Sequence, residues 1–307
     1  MRKSHTVEPN TFFARLDKFL LHLYPDIQRS SLLALIRKKE VRVNDGVVRD
    51  PSYPLQLGDE VSIFLPESTP KWQRIQRNTK GKRKLLPREM DLRILYEDDE
   101  MLAINKPPGI SVHPGIGERN RSTLIEGLLF FGQHKGFEPF LVHRLDRQTS
   151  GLLVVAKNRI QSRHLSKVFR ERQVQKWYWV MVAGTPPTHQ TITEPIEGKE
   201  AETHLITKRS FDTPFGTLSL CEVGMSTGRK HQIRLHLSSK GWPILADEQY
   251  GRFVLNRELK RAGLQRTFLH CSRMNWIHPD QRSFSLDAPL WEDLQAFLDR
   301  CDQHAFS

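Results

Sequence analysis

The chain has 307 residues, 38% hydrophobic and 27% charged, which indicates a folded protein with room for two domains rather than a disordered one. No apolar stretch approaches the roughly 20 residues that a membrane-spanning helix needs, and the amino terminus lacks the apolar segment of a secretory signal. The net charge of +12 favours a polyanionic partner, with nucleic acid ahead of a membrane surface because no amphipathic anchor helix is evident.

Two short helices are predicted near the amino terminus. Residues 12–23 place their apolar side chains at helical spacing, and Pro25 ends this first helix. Ser30 and Ser31 offer N-terminal caps for a second helix, which ends in the basic triplet 37–39. Cations at that end suit the helix dipole and could also reach an RNA phosphate.

A small sheet follows these helices. Residues 41–48 hold alternating valines around Asn-Asp-Gly, which predicts a tight hairpin, and residues 58–65 supply one more strand. Two helices followed by a small sheet resemble the S4 RNA-binding domain. The matching stretches are RLDKFL at 15–20, RSSLLALI at 29–36, VRVND at 41–45 and GDEV at 58–61.

The S4 resemblance implies an α/β RNA-binding domain with basic side chains on RNA phosphates. Lys39 stands where that family usually has a glycine ending the second helix, so either a different cap or a strained lysine is expected. The implied phosphate contacts are Arg15, Arg29, Arg37 and Lys38, and a solvated surface charge is the alternative for each.

Residues 71–88 hold eight basic residues and no acid, which indicates a flexible basic linker. Direct phosphate contact and a merely solvated tether both fit this composition. The resulting prediction is an S4-like domain at 12–66, a basic linker at 67–88 and a larger domain at 89–307.

The larger domain begins with a predicted hairpin at 92–106 and a rigid loop of prolines and glycine at 106–114. Residues 123–131 predict a helix. The stretch HRLDRQTSG at 143–151 precedes LLVVAK at 152–157, which has the length and composition of a buried strand.

Further along, residues 160–169 have helical spacing and residues 176–184 predict a strand. Residues 228–237 hold five basic or imidazole side chains, and their apolar residues alternate as in a strand. The apolar stretches 243–251 and 268–279 complete the framework. Many short strands without repeating βαβ units predict an α+β domain with a mixed, mostly antiparallel sheet.

Asp146 lies between Arg144 and Arg147, on a loop just before a buried strand. A structural salt bridge and an ionised catalytic carboxylate both explain such an arrangement, and taken alone the salt bridge is the commoner case. A glycosidase uses a pair of carboxylates, and no second acid neighbours Asp146 in sequence, so a glycosidase pair is not indicated.

Metal and cofactor chemistry have little support. His231 and His236 are five residues apart, and no HExxH, G-x-S-x-G, nucleotide-binding or dinucleotide-binding motif is present. No metal and no cofactor are therefore expected. The three unevenly spaced cysteines predict reduced thiols in a cytoplasmic protein; they are Cys221, Cys271 and Cys301.

Several motifs together resemble the RluA-type pseudouridine synthases, and the resemblance runs from roughly residue 12 to 298. Ala246 is a departure from the DEQYG motif at 247–251, because the family mostly has glycine before its aspartate, Asp247. The matching blocks, in order, are KPPG at 106–109, HRLDRQTSGLLVVAK at 143–157, KWY at 176–178, TGRKHQIRLH at 227–236, DEQYG at 247–251 and LHC at 269–271.

This resemblance implies isomerisation of uridine to pseudouridine within RNA. The bond from N1 to the ribose breaks, the uracil rotates, and C5 joins C1′, with no redox change. By resemblance, Asp146 is the catalytic carboxylate, which either attacks C1′ or removes a ribose proton to give a glycal. Both routes need an ionised side chain, and a nearby guanidinium favours that form.

The resemblance also assigns supporting roles. Arg234 partners Asp146, Tyr178 stacks on the uracil and helps to remove the C5 proton, and Lys176 and Arg229 support RNA binding. Taken alone, the tyrosine would be a packing aromatic and Arg234 a strand surface charge.

Arg144 and Arg147 are left to face phosphate or to shape the loop. The target base must leave its stack to reach the carboxylate. The expected partner is RNA, most of all large-subunit (23S) ribosomal RNA, and the expected protein is a cytoplasmic monomer. Alternatives are the same chemistry on transfer RNA, a non-catalytic RNA-binding or ribosome-assembly factor, and an RNA N-glycosidase that releases uracil.

Overall fold

The computed structural model describes residues 2–8, 15–24, 27, 29–65, 85–114, 122–225, 227–303 and 305, with the backbone alone for residues 29 and 30. The chain divides into two compact units, Met1–Lys84 and Leu85–Ser307, each described here by itself. Three predicted features lie outside the described residues: the start of the first helix at residues 12–14, its stop at Pro25, and most of the linker, residues 67–84.

The amino-terminal unit packs two helices on a four-stranded antiparallel sheet with strand order β1-β4-β2-β3. The first strand, β1, had no counterpart among the sequence predictions, and it extends the unit to residue 2. Leu16, Phe19, Leu20 and Ile36 are fully buried against the sheet. The elements are β1 (Arg2–Thr6), α1 (Leu16–Leu23), α2 (Arg29–Arg37), β2 (Val41–Val43), β3 (Gly46–Val47) and β4 (Glu60–Phe64).

The prediction that Ser30 and Ser31 cap α2 is wrong. The helix already begins at Arg29, so both serines lie within its first turn. At the other end of α2, Lys39 was expected to adopt either a different cap or a strained left-handed conformation. That lysine is left-handed at φ 68°, its N–H donates to the Ile36 carbonyl, and the next N–H donates to the Leu35 carbonyl. The helix thus ends in a Schellman turn with lysine in place of glycine.

The hairpin predicted at 41–48 is confirmed. Asn44 and Asp45 are both left-handed, at φ 49° and 63°, as a type I′ turn requires. The Asn44 side chain donates to Asp59 and accepts the N–H of Glu60, which ties the turn to β4.

The larger unit is built on a ten-stranded sheet. Its main order is β10-β11-β12-β9-β13-β8-β6-β5, with β14 beside β13 and β7 beside β8. The β13–β8 pair is parallel and the other pairs are antiparallel, which confirms the α+β class with a mixed, mostly antiparallel sheet. The elements are β5 (Ile94–Glu97), β6 (Met101–Lys106), α3 (Leu124–Lys135), β7 (Phe140–Leu141), β8 (Ser150–Ala156), α4 (Arg159–Arg170), β9 (Gln175–Ala183), β10 (His189–Ile192), β11 (Thr203–Thr213), β12 (Gly216–Met225), α5 (Gln232–Ser239), α6 (Phe253–Arg261), β13 (Leu269–Ile277), β14 (Ser283–Asp287) and α7 (Glu292–Asp302).

Both faces of this sheet are covered. Along β9, Tyr178 and Val180 point to one core, whereas Met181 points to the other, as strand alternation dictates. The Tyr178 face packs against α5, and the opposite face packs against α6 and α7, two helices that the sequence did not predict. No helix in the described part of the chain is long and apolar enough to cross a membrane.

The strand inferred from alternation in residues 228–237 is wrong, because most of this stretch forms helix α5. Its buried positions, 232, 233, 236 and 237, follow helical spacing, but two of them are polar. Gln232 donates to the Glu202 carbonyl, and His236 bonds Thr203. The helical period was missed because the sequence analysis counted only apolar residues, whereas two of the four buried positions are polar.

Candidate active site

An open cleft of about 570 Å³ lies on the Tyr178 face of the sheet, between the turn before β8, the start of β9 and the start of α5. A second cavity of about 490 Å³ adjoins it, and both are lined by Arg144, Asp146, His231 and Arg234. Asp146 therefore lies where two cavities meet.

The Asp146 side chain is 29% exposed and faces two nitrogen groups from α5 and the loop before it. Its Oδ2 lies 3.7 Å from an Arg234 guanidinium nitrogen and 3.7 Å from His231 Nε2. Neither distance is a hydrogen bond, so the carboxylate is within electrostatic reach of the guanidinium but keeps its oxygens open to the cleft.

A second acid, Asp247, holds Arg234 in place. The guanidinium donates two hydrogen bonds to this carboxylate, at 2.6 and 2.8 Å, and lies 4.9 Å from the centre of the Tyr250 ring. The third guanidinium nitrogen is the one that faces Asp146. The sequence placed Asp247 only within a motif and indicated no contact with Arg234.

Asp247 is fully buried, which by itself would raise the pKa of its carboxyl group. Hydrogen bonds from Arg234 and from the N–H groups of Tyr250 and Gln249 outweigh burial and bring the pKa below its ordinary value. The pair is thus charged at neutral pH, and the arginine is a fixed cation.

We expect Asp247→Asn to destabilise the protein by about 3–5 kcal/mol at pH 7, because it removes the carboxylate charge to which a largely buried guanidinium is hydrogen-bonded. The pKa of Asp247 is lower in the native state than in the unfolded state. Its contribution to the free energy of unfolding is therefore fully present above the unfolded pKa of about 4 and is lost as pH falls through the native pKa. Urea unfolding at pH 7 and below pH 4 should show the difference shrinking in acid.

Asp302→Asn is the matched control for that experiment. Asp302 also makes two contacts with one arginine, Arg209, but both side chains are more than a third exposed. Its loss should change the free energy of unfolding by no more than about 1 kcal/mol. Equal effects of the two substitutions would contradict an anchoring role for Asp247.

His231 precedes α5 with a left-handed backbone at φ 54°, and its Nδ1 lies 3.0 Å from the Tyr250 hydroxyl. Burial lowers the pKa of this histidine, and the nearby Asp146 carboxylate only partly opposes the effect. At neutral pH the carboxylate therefore faces one fixed cation and one neutral ring. The sequence had offered His231 only as a poor metal ligand.

The flanking arginines do not clamp Asp146. Arg144 and Arg147 are exposed, and within the described residues neither forms an ion pair with that carboxylate. Arg147 instead donates through Nε to the Gly109 carbonyl, and its own carbonyl accepts the Gly109 N–H. Arg147 thus fastens the turn to the loop at 106–114, and Arg144 faces both cavities.

Lys106 supports the same turn from behind. It is fully buried, and its ammonium donates to the carbonyls of Pro107, Arg147 and Thr149 at 2.8, 3.3 and 2.8 Å. Burial lowers its pKa to about 7, but three acceptors match the three protons of the charged form. This residue was known from the sequence only as part of a motif.

Tyr178 lines the cleft and is 5% exposed. Burial, and then the neighbouring Cys271 thiol, raise the pKa of the phenol well above 10. The phenol thus keeps its proton at neutral pH. Lys176 lines the same cleft with its ammonium 5.0 Å from the centre of the Phe169 ring, and burial lowers its pKa.

The remaining predicted residues lie at two separate places. Arg229 lines the cleft and is held by the Glu200 carbonyl at 2.9 Å. In the amino-terminal unit, Arg15 makes two hydrogen bonds to the buried Asp17, and Arg37 and Lys38 are exposed at the end of α2. The side chain of Arg29 lies outside the described residues.

A group of possible metal ligands occurs away from the cleft. Single atoms of Glu100, His278 and Asp280 lie within 4.8 Å of one another. Arg282 donates to both carboxylates and already supplies their counter-charge. The group is therefore an ion-pair cluster in this structure.

Comparisons with known proteins agree on one family. Residues 100–239 match the family described as RNA pseudouridylate synthase, and residues 14–61 match the S4 domain. A Haemophilus ducreyi protein named ribosomal large subunit pseudouridine synthase C is 37% identical, covering 95% of this chain and 93% of that protein. An Escherichia coli K12 protein of the same name is 35% identical, covering 93% and 92%.

A solved structure shares the fold. Human RNA pseudouridylate synthase domain containing 1 superposes with a TM-score of 0.55 at 23% identity, covering 67% of this chain and 87% of that one. The chain therefore belongs to the RNA pseudouridylate synthase family, and it carries an amino-terminal S4 domain. The resemblance inferred from the motifs is confirmed, and the enzyme is an RNA pseudouridine synthase.

Proposed function

We propose that this enzyme isomerises specific uridines to pseudouridine in large-subunit (23S) ribosomal RNA, with Asp146 as its catalytic carboxylate. The observation that carries the proposal is a single partly exposed carboxylate at the junction of two cavities, facing an arginine that Asp247 holds in place. Two proteins named for the large ribosomal subunit match nearly the whole chain, which supports that RNA as the substrate.

The geometry suits both routes considered for the carboxylate. Asp146 either attacks C1′ or removes a ribose proton, and each step needs a charged oxygen that no hydrogen bond occupies. Arg234 stabilises this charge from 3.7 Å without blocking the oxygen. The target nucleotide leaves its stack and enters the cleft, since a base within a duplex cannot bring its sugar to this site.

Tyr178 is proposed to stack on the flipped uracil. Its high pKa means that the phenol does not serve as a base at neutral pH, so removal of the C5 proton falls to another group or to water. The RNA on either side of the base is proposed to contact the basic side chains that line the two cavities: Arg144, Arg147, Lys176 and Arg229.

The amino-terminal unit is proposed to hold flanking RNA through Arg15, Arg29, Arg37 and Lys38. We propose an RNA-binding domain at 12–66 with β1 added at its sheet edge, a basic linker at 67–88 and a catalytic domain at 89–307. The division of the chain after Lys84 and the two family matches support these bounds. The enzyme is further proposed to be a cytoplasmic monomer.

Removing residues 1–84 should weaken RNA binding while leaving the chemical step, because the cleft is built within Leu85–Ser307. We expect a smaller salt dependence of the affinity, since fewer phosphates are neutralised. Binding at several salt concentrations and single-turnover rates at saturating enzyme would measure the two effects. Loss of the saturated rate in a shortened chain that remains folded would contradict the prediction.

The proposed substrate is tested in cells that lack this protein. Pseudouridine is mapped in ribosomal and transfer RNA before and after the full-length gene is returned. At least one site in 23S RNA should disappear and then reappear. Restoration only in transfer RNA would overturn the ribosomal assignment, and free uracil among the products would indicate a glycosidase instead.

A further inference from the structure

Phe253 is the most exposed large hydrophobic side chain in the described part of the chain. It is 81% exposed at the first position of α6, and its neighbour Val254 is 60% exposed. The core contacts of this helix come from its other face, where Asn256 and Leu259 are buried. Two adjacent apolar side chains therefore project from the start of a helix into solvent.

The exposed face of α6 is basic as well as apolar. Positions 253, 254, 257 and 261 share one side of a helix, which places Arg257 and Arg261 beside the two apolar residues. Within the described residues no carboxylate pairs with either arginine, whereas the adjacent Lys260 is neutralised by Glu248. Arg252 precedes the helix and is exposed, and its guanidinium donates to the Gly241 carbonyl. This surface therefore fits an anion.

The helix is fixed to the wall of the active site. The Asn256 side chain accepts the Ala246 N–H and donates to the Asp247 carbonyl, at 3.0 and 2.7 Å. Tyr250, which contacts His231 and Arg234, lies three residues before Phe253, so their Cα atoms are at most about 11 Å apart. Phe253 therefore lies a short distance along the chain from a residue that contacts two side chains of the cleft, His231 and Arg234.

We propose that Phe253, Arg252, Arg257 and Arg261 form a platform for single-stranded RNA next to the target uridine. This inference rests on the proposed function. The ring stacks on a nucleobase of the flanking strand, and the arginines contact its phosphates. Since every base has a stacking face, the Phe253 platform adds affinity and orientation with little sequence preference.

Fluorescence anisotropy with the full-length protein and a labelled oligouridylate tests the Phe253 platform. Phe253→Ala should weaken binding about five- to one-hundredfold, the range found for loss of one stacking aromatic. Phe253→Trp should restore it, because tryptophan also stacks. Arg257→Ala should weaken binding and flatten its salt dependence. The matched control is Ile160→Ala, which removes another exposed apolar side chain from the first turn of a helix flanked by arginines.

Single-turnover assays on 23S ribosomal RNA separate this inference from the proposed function. For Phe253→Ala, the enzyme concentration that gives the half-maximal rate should rise, whereas the rate at saturating enzyme should not change. Unchanged affinity for RNA, or a loss equalled by Ile160→Ala, would overturn the platform even if pseudouridine forms normally. An enzyme that binds oligouridylate through Phe253 but modifies no ribosomal RNA would overturn the proposed substrate and leave the platform standing.

Discussion

Replacing Asp146 by asparagine should lower the rate of pseudouridine formation by at least about a thousandfold while leaving RNA affinity within a few-fold. The amide has the shape of the carboxylate but neither its charge nor its ability to attack C1′ or accept a ribose proton. Because Asp146 is partly exposed at the cavity junction and makes no ion pair shorter than 3.7 Å, a folding defect is not expected. The loss should therefore appear in the chemical step.

The C5 hydrogen of uridine must leave when C5 joins the sugar, so tritium release from RNA labelled at that position measures the reaction directly. Single-turnover assays at saturating enzyme isolate the chemical step from binding. Glu248→Gln is the control, because this acid lines the second cavity but is exposed and paired with Lys260. Full activity of Asp146→Asn would mean that another group performs the chemistry.

Short-range patterns predicted much of this fold because their causes lie within a few residues. The hairpins at 41–48 and 92–106 follow from turn residues between apolar runs, and both are present. The helix predicted at 123–131 begins at the capping box of Thr123 and Glu126. Each of these elements carries its own signal in the sequence.

Contacts between segments that are far apart in the sequence could not be predicted from such short-range patterns. The parallel pairing of β8 with β13 joins residues about 120 positions apart, and nothing local in either strand marks it. The same holds for Lys106, whose ammonium reaches the carbonyl of Thr149. Lysine in a motif suggests a surface charge, whereas here it is buried behind the turn that carries Asp146.

The geometry of the candidate site was anticipated in part, through family resemblance more than through chemistry. Asp146 and Arg234 do face each other, but at 3.7 Å and without a hydrogen bond. The residue that fixes the arginine, Asp247, was missed because α5 was taken for a strand, and a strand would present position 234 differently. The left-handed Ala246, at φ 54°, explains why a glycine would suit the position before this aspartate.

Gly151→Ala should be the most destabilising small substitution in the larger unit, because β8 and β13 approach each other at this glycine. A Cβ atom there would lie 2.2 Å from the Cys271 carbonyl oxygen and 2.6 Å from its nitrogen, and the backbone is at φ +111°. Overpacking against backbone and an unfavourable φ together cost roughly 3–6 kcal/mol. Since stability is typically about 5–15 kcal/mol, much of it would be lost.

Gly216→Ala separates the two contributions to this loss. Gly216 also has a positive φ, +90°, but nothing lies within 4 Å of its added Cβ, so the backbone term of about 1–2 kcal/mol acts alone. Urea unfolding of both full-length variants should show the larger loss for Gly151→Ala. Tritium release should also fall in that variant, because Cys271 is paired with Tyr178 across β13 and β9, and β8 starts four residues after Asp146. Equal stability of the two variants would mean that the strands do not approach this closely.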